Sequence, residues 1–309
     1  AETMFSYCLE LHEPDNPGYD LFPLMGLVDM YRFMGRYSEA EKAAKEIEEK
    51  IHQNEILKPY LYAVLSGLYI DMGQYERAKE LIREAWEKDA QEGQGEIWIE
   101  LQARLAWCYF QTGETDKAME CFNTALDLAE DKDVPYRENV VHSLLSMARI
   151  EYGSEEEALN HAQLAIEKAI DVNSELCIAL AAESMGKTLG KTGKTGEGME
   201  YLKHSLRVAT KIGHQRYVCA ALLAIARSHL ESGRFRDAVK YGYRLLHHAN
   251  HRLAPQRKEA MLIIARAYAQ QGLKEEAVSL TKPVLEWSRE AGVSKLAEEA
   301  GELMKNLAS

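Results

Sequence analysis

Three Gly-Lys-Thr triplets lie between Gly186 and Thr195, in the segment GKTLGKTGKTGEG. Such a triplet binds phosphate when a further glycine stands five residues before its own glycine, because the intervening backbone N–H groups must wrap the pyrophosphate. The three positions that would hold this glycine are Ala181, Met185 and Thr188. The stretch before the triplets, SELCIALAAESM, has the pattern of a helix and not of the required strand. The sequence therefore predicts no nucleotide site here.

A second candidate for chemistry is the histidine group His247, His248 and His251. His247 and His251 have the four-residue spacing of two zinc ligands on one helix face. No Cys, Asp or Glu nearby completes a ligand set, so a solvated histidine cluster is favoured over a metal site. The sequence contains no pattern of serine, histidine and acidic residues that would indicate a hydrolase. We expect no catalytic, cofactor or metal site, and hence no enzyme.

The composition narrows the class of protein further. The chain has 309 residues, is 46% hydrophobic and 28% charged, and is rich in the helix formers Ala, Leu, Glu and Lys. Its net charge of −12 argues against nucleic acid as a partner. No apolar stretch reaches the roughly 18 residues of a membrane span. Five scattered cysteines indicate a reducing compartment, so we expect a cytoplasmic (intracellular) protein.

A repeat of about 40 residues runs along the chain, a signature of repeat architectures. A large apolar residue stands eight positions before each of a series of glycines, from Leu27 to Ile264, and a small residue stands five positions after each, from Ala40 to Ala277. The position four before is tyrosine in four repeats. The glycines recur every 38 to 40 residues: Gly35, Gly73, Gly113, Gly153, Gly193, Gly233 and Gly272.

These columns predict one helical hairpin in each repeat. Glycine permits the turn because it adopts positive φ freely, and the small residue lets two helix backbones approach closely. Ser38 with Glu41 and Ser154 with Glu157 have the spacing of capping boxes at the start of second helices. The second helices are expected to end near four residues that suit helix C-termini: Gly93, Asn173, Gly213 and Gly292.

The segments LSGLYIDMGQYERA (65–78) and LAWCYFQTGETDKA (105–118) resemble the tetratricopeptide repeat family. The resemblance covers the whole chain, although the repeats exceed the family's usual length and lack its closing proline, as in extended modules of regulatory and signalling proteins. It implies an all-α, right-handed superhelical solenoid of about seven helix-turn-helix repeats. The expected repeats are 19–58, 59–96, 97–136, 137–176, 177–216, 217–255 and 256–292.

Both ends of the chain fit the same frame. Residues 1–12 are expected to form the second helix of a truncated repeat, so that 1–309 is a single solenoid within a longer chain. Residues 293–309 are expected to form a capping helix with a polar outer side. Gly193 is then a turn glycine, and Gly186 and Gly198 occupy small-residue positions. Glycines inside helices lower helix stability, so we expect a locally unstable segment here, called the soft joint. Gly198→Ala is expected to stabilise it if a methyl group fits.

By the resemblance, first helices line a concave groove in which ligands bind. Trp107, Phe110 and Met147 would form its apolar middle, followed by the cations Lys187, Arg227 and Arg266 along one face. The family's lysine and asparagine clamp for a peptide carboxylate is absent, because those positions include Met25 and Asp29. A ladder of groove asparagines, which peptide-sensing relatives use, is also missing. The candidate partner-binding residues are Met25, Asp29, Trp107, Phe110, Met147, Lys187, Arg227 and Arg266.

The predicted function is a protein-protein or peptide interaction module, the sensing or docking region of a larger regulatory protein. The partner would be a protein or peptide segment with acidic and apolar residues, and neither nucleic acid nor a membrane. The alternative is a regulatory domain that senses a small-molecule effector and transmits binding to an attached domain.

Overall fold

The computed structural model describes residues 20–50, 56–89, 95–152 and 154–308, and the regular secondary structure of this part is entirely α-helical. Residues 1–12, expected to form a truncated repeat, lie outside it. Fifteen helices are described: α1 Leu21–Phe33, α2 Tyr37–Lys50, α3 Lys58–Asp71, α4 Tyr75–Asp89, α5 Ile97–Thr112, α6 Thr115–Asp131, α7 Pro135–Glu151, α8 Glu155–Val172, α9 Glu175–Lys191, α10 Thr195–Lys211, α11 Gln215–Glu231, α12 Phe235–His248, α13 Ala254–Gln270, α14 Lys274–Glu290 and α15 Ser294–Ala308.

Successive helices pair as antiparallel hairpins that stack into a solenoid. The odd-numbered first helices pack on one another in an inner layer, and each second helix packs outside, between its own first helix and the next. Helix α15 covers the last hairpin by packing on α13 and α14. The all-α solenoid of hairpins with a terminal capping helix is therefore confirmed. Helices α7, α9, α11 and α13 begin two residues before the expected repeat starts, and the repeat limits themselves stay a prediction.

The columns found in the sequence lie at the interface between the two layers. The large residues eight before each turn glycine are all buried, from Leu27 to Ile264. The small residues five after it have no exposed surface in six of the hairpins, including Ala40, Ala118 and Ala277. His229, in the tyrosine column, is also buried and stacks on Tyr241 with ring centroids 5.3 Å apart. Burial of this shared set of side chains holds each hairpin together.

Each turn follows one hydrogen-bonding scheme. Gly113, for example, has φ of +84° and the next residue, Glu114, donates its N–H to the carbonyl of Tyr109 at 2.9 Å. This bond satisfies a carbonyl that the end of a helix leaves unpaired. Positive φ is also found at the predicted ends of second helices, Asn173, Gly213 and Gly292, and at Asp133 in addition. Gly153 and Gly93 lie outside the described residues.

The two predicted capping boxes are wrong. Helix α2 begins at Tyr37, so Ser38 lies inside it. Ser154 does precede α8, but its side chain makes no capping hydrogen bond. The start of a second helix is fixed instead by the residue directly after the turn glycine, since its N–H bonds back to the first helix while its carbonyl accepts from the second. Arg36 does both, bonding to Tyr31 at 2.7 Å and to Ala40 at 3.1 Å.

The solenoid winds so tightly that its successive turns touch. The turn at Gly35 lies against Gln215 at the start of α11, and the turn at Gly73 lies against Pro255 at the start of α13. At the turn of the third hairpin, the carbonyl of Thr112 accepts a hydrogen bond from the hydroxyl of Ser294, at the start of α15, at 3.2 Å. In each case a hairpin turn meets the helix that begins five hairpins later. The rings of Phe33 and His214 also pack together, with centroids 4.5 Å apart. We call this ring pair and the three turn contacts the closing contacts.

The glycines of the fifth hairpin allow an unusually close approach of α9 and α10. A Cβ atom on Gly198 would lie 2.7 Å from the carbonyl oxygen of Gly186 and 3.0 Å from the amide nitrogen of Gly190. A Cβ atom on Gly186 would in turn lie 2.9 Å from the carbonyl oxygen of Gly198. Backbone atoms therefore fill the space that a methyl group at Gly198 would need, so the condition for a stabilising alanine is not met. The soft joint itself stays a prediction.

A pair of buried histidines connects α7 and α8. The Nδ1 atoms of His142 and His161 lie 3.1 Å apart, and their rings are stacked with centroids 5.3 Å apart. Burial, and then the charges of His161 and Lys168, lower the pKa of His142 to about 4. The pKa of His161 is lowered as well, chiefly by burial. Both rings are therefore neutral at pH 7, and the fold opposes their protonation.

We expect Gly198→Ala to destabilise the chain by roughly 1–3 kcal/mol, because overpacking against backbone forces the two helices apart. The matched control is Gly190→Ala on the same interface, where nothing lies within 4 Å of an added Cβ. It should stabilise by roughly 0.5–1 kcal/mol through helix propensity. Urea unfolding of both variants measures the difference, and a stabilised Gly198→Ala would contradict the close-packed interface.

We expect acid to destabilise the parent more than His142→Gln. The unfolded chain binds this proton near the usual pKa of about 6.5, whereas the folded chain binds it only near 4. Stability is therefore fully present above about 6.5 and is lost as the pH falls toward 4, by about 2 kcal/mol at pH 4.5 from His142 alone. Unfolding free energies of both proteins from pH 7 to 4.5 test this, with His251→Gln, an exposed histidine, as the control that should follow the parent.

Candidate binding channel

The inner faces of the first helices enclose one cavity of about 350 Å³, here called the channel. Its wall includes residues from α1, α3, α5, α7, α9, α11, α13 and the capping helix α15. Many of them stand three, six or thirteen positions before a turn glycine, the face that the sequence predicts to point inward. The superhelical winding brings this face of all seven hairpins to one space.

The apolar part of the channel wall lies on α5 and α7. Trp107 and Phe110 are half-buried, with ring centroids 5.1 Å apart, and Phe110 also meets Tyr152 edge-on at 5.6 Å. Met147 is buried beside them, and its sulfur lies 3.3 Å from the Nζ of Lys187. The rings of Trp107 and Phe110 therefore present an apolar surface next to the cation Lys187, as their spacing predicts.

The expected ladder of cations is present, but each cation has a carboxylate partner. Lys187 pairs with Glu183 one helical turn earlier. Arg227 donates to Glu259 at 2.7 Å, and Arg266 pairs with Glu299 of the capping helix at 3.1 Å. The three cations are therefore paired within the fold. The partner of Lys187 lies on the same helix, whereas Arg227 and Arg266 use acids of the next hairpin and of α15, which no single column contains.

Acidic and basic groups lie side by side at this end of the channel. Burial raises the pKa of Glu259, and although Arg227 and Lys187 oppose this, Glu299 and Glu151 add to it. Glu151 itself forms an ion pair with Lys295 of the capping helix. The charges at this end are therefore largely paired with one another, and burial makes Glu259 easier to protonate than a solvated carboxyl group.

Three of the eight predicted site residues lie outside the channel wall. Met25 and Asp29 line a second depression between α1, α3 and the start of α5. Asp29 is more than half exposed and pairs with Arg32 at 2.8 Å. Arg266 reaches the channel only through Glu299. The other five, Trp107, Phe110, Met147, Lys187 and Arg227, line the channel together.

Sequence reasoning missed a group of four arginines in the same channel, here called the arginine cluster: Arg32, Arg104, Arg137 and Arg216. Arg32 and Arg216 share the buried Asp71, at 3.1 Å and 2.7 Å. Arg104 and Arg137 share Glu100. Arg32 stands three before its turn glycine, on the face predicted to point inward, but the other three lie outside the predicted columns, so the sequence does not identify the cluster.

Both shared carboxylates are ionised. Burial alone would raise the pKa of Asp71, but the charges of Arg216 and Arg32 outweigh it and lower that pKa. The pKa of Glu100 is lowered for the same reason by Arg104 and Arg137. A carboxylate held between two guanidinium groups is the charge-assisted geometry that makes such bonds strong.

Among the described residues, the side chains do not favour metal binding or thiolate chemistry. The described residues contain no group of three or more His, Cys, Asp or Glu side chains that could hold a metal ion. Burial raises the pKa of Cys219 to about 12 and that of Cys121 to about 11, so neither is an activated thiolate. In the described part of the chain, no helix combines the length and the apolar character needed to cross a bilayer.

Comparisons with known proteins agree with this architecture. A family model described as tetratricopeptide repeat matches residues 69–137, and a second model of the same description matches 223–281. No curated protein sequence matches this chain.

Several solved structures share the fold. A Rap protein in complex with Competence and Sporulation Factor is 17% identical with a TM-score of 0.70, over 99% of this chain and 92% of that one. NprR in complex with its cognate peptide NprX is 12% identical with a TM-score of 0.62, over 91% and 82% of the two chains. A signal transduction ATPase from Pyrococcus horikoshii with a tetratricopeptide repeat sensor is 14% identical with a TM-score of 0.56, over 98% of this chain and 51% of that one.

The identities show the fold alone, while the two family matches fall on hairpins whose turns and columns follow the repeat pattern. Residues 69–137 and 223–281 are therefore tetratricopeptide repeats, set within a solenoid of similar helical hairpins.

Proposed function

We propose that the chain is a non-enzymatic interaction module that binds a peptide or protein segment in the channel. It would serve as the sensing or docking region of a larger regulatory protein. The observation that carries this proposal is the convergence of seven inner helix faces on one cavity, with half-buried aromatic rings beside charged groups. Concave, mainly apolar sites with a few oriented polar groups are the usual form of a ligand site.

Two of the similar structures support a peptide as the ligand, since one is a complex with Competence and Sporulation Factor and the other a complex with the cognate peptide NprX. The asparagine ladder expected of peptide-sensing relatives is missing from this sequence, so a peptide here would be held differently. Trp107 and Phe110 provide an apolar anchor point, and the charged groups on both sides of it would fix the direction of the bound segment. Aromatic residues in such positions commonly dominate binding energy.

A small-molecule effector is the second candidate, and the size of the channel favours it. About 350 Å³ lies near the lower end of the volumes typical of small-molecule sites. The closing contacts must separate before an extended segment of any length can enter. A compact effector needs no such opening.

The experiment that tests the proposal selects short random peptides displayed on phage against the whole chain and remeasures the binders as soluble peptides. We expect Trp107→Ala to weaken the selected peptides about 10- to 100-fold, mainly through faster dissociation, because it removes the central aromatic anchor. Tyr201→Ala, which truncates an exposed tyrosine on the second helix α10, is the control and should bind like the parent. Fluorescence polarisation and stopped-flow kinetics provide the measurements.

Trp107 also packs against a buried cluster that includes Ala106, Phe122 and Leu145, so its variant needs a check of folding by thermal unfolding. Phe110→Ala is a second variant of the same surface. If both variants are folded and bind the peptides like the parent, the ligand does not use the apolar wall of the channel. If no peptide is selected but a small molecule raises the melting temperature of the parent only, the second candidate is favoured.

The closing contacts distinguish the two candidates kinetically. Phe33→Ala removes the ring that packs on His214 and should make separation of the superhelical turns easier. Association of a peptide should then become faster, because opening precedes entry, while association of a compact effector should change little. Small-angle scattering of Phe33→Ala checks that the chain opens, and an opened chain with unchanged peptide association would contradict entry through these contacts.

A further inference from the structure

The arginine cluster carries more positive charge than its carboxylates neutralise. Four guanidinium groups line the channel beside two buried or largely buried acids, Asp71 and Glu100, with 2% and 20% of their side chains exposed. A third acid, Asp29, pairs with Arg32 at 2.8 Å and is 57% exposed, so four guanidinium charges still outnumber three carboxylates. The channel therefore contains a local positive excess although the whole chain is strongly acidic.

Gly67 of α3 is what allows the guanidinium groups to converge. A Cβ atom at this position would lie 2.7 Å from Nη1 of Arg32 and 2.8 Å from Nη1 of Arg104. The two like charges therefore meet over a position without a side chain. A side chain here would displace the flexible ends of both arginines, so the glycine leaves room for their donors to approach the same point in the channel.

The electrostatic state of Arg104 reflects this excess. Burial lowers its pKa, and the nearby charge of Arg32 lowers it further, so that the opposing effect of Glu100 does not restore it. A guanidinium group has five N–H donors and no acceptor. In the described part of the chain Arg137 forms one ion pair, through Nη1, and Arg216 forms one, through Nε. Donors and charge thus remain for a further anion.

We propose that the arginine cluster binds one oxyanion group of the channel's ligand, a carboxylate or a phosphate. This inference rests on the proposed function, since it assigns a chemical group to the ligand of the same channel. Bidentate pairing with planar guanidinium groups suits both anions. The charges around Glu259 at the other end are paired with one another, so the oxyanion would lie at the arginine cluster, which gives the bound ligand one orientation.

The test uses the whole chain and the probes inorganic phosphate and acetate, with potassium chloride at matched ionic strength as the reference. The variant is Arg137→Gln combined with Arg216→Gln. It removes half of the cluster but leaves Glu100 paired with Arg104 and Asp71 paired with Arg32. No carboxylate is therefore left without a partner, a loss that would itself destabilise the fold. Arg207→Gln, on the outer side of α10 and exposed, is the matched control.

We expect at least one probe to raise the melting temperature of the parent saturably, beyond the effect of potassium chloride. The double variant should raise the Kd of this probe about tenfold or more, since hydrogen bonds to charged groups are lost, and Arg207→Gln should leave it unchanged. The probe that binds more tightly identifies the chemistry as phosphate or carboxylate. A parent that responds to neither probe beyond potassium chloride, or a double variant that binds like the parent, would overturn the proposal.

Peptides selected on the channel separate this inference from the proposed function. If the cluster binds a carboxylate, amidation of the peptide's C-terminus or removal of its acidic side chains should weaken parent binding about tenfold or more and the double variant hardly at all. Peptides that depend on Trp107 but are indifferent to both changes and to the double variant contradict the arginine site and leave the proposed function standing. Probe binding at the cluster with no selected peptide supports the arginine site and counts against a peptide ligand.

Discussion

The close contact between helices at small residues determines the rest of this structure. A small residue stands five after each turn glycine, and a small residue stands seven before it in all repeats but the first, which has Val28. Most of these residues are fully buried, so the two helices of a hairpin and their neighbours can approach closely. Equal contacts give equal crossing angles, and equal angles accumulate into a regular superhelix. The channel exists because this rotation directs every first helix inward. Gly186 and Gly198 are the extreme of the same rule, since there backbone lies directly on backbone.

The fold was predictable from the sequence because its determinants are local and repeated seven times. A turn glycine such as Gly113 and its flanking apolar and small residues report the same hairpin in every copy. The capping boxes failed because a serine near a helix start, such as Ser38, carries less information than the turn's own backbone bonds. The effect of Gly198 could not be read from helix propensity, because it depends on how near the backbone of Gly186 lies.

In the candidate site, the sequence predicted only which residues of each single helix face inward. Trp107, Phe110 and Met147 line the channel because their spacing fixes the face on which they lie. Ion pairs across hairpins depend on the pitch of the superhelix, which no column encodes. Arg266 is therefore neutralised by Glu299 of the capping helix, and Asp71 is shared by Arg32 and Arg216 from different turns. The cationic part of the channel is the arginine cluster, where these long-range ion pairs leave some positive charge without a carboxylate partner.

The closing contacts change how this solenoid must fold. In an open array each repeat touches only its neighbours, so that folding can start anywhere and ends can fray or be cut away one repeat at a time. Here hairpin turns near one end rest on helices that begin five hairpins later, as Gly35 does on Gln215. Such contacts join distant parts of the chain, which slows folding by raising contact order and couples the stability of the two ends. The molecule should therefore behave less like a divisible string of modules than like a ring, in which loss of the last hairpins also weakens the first.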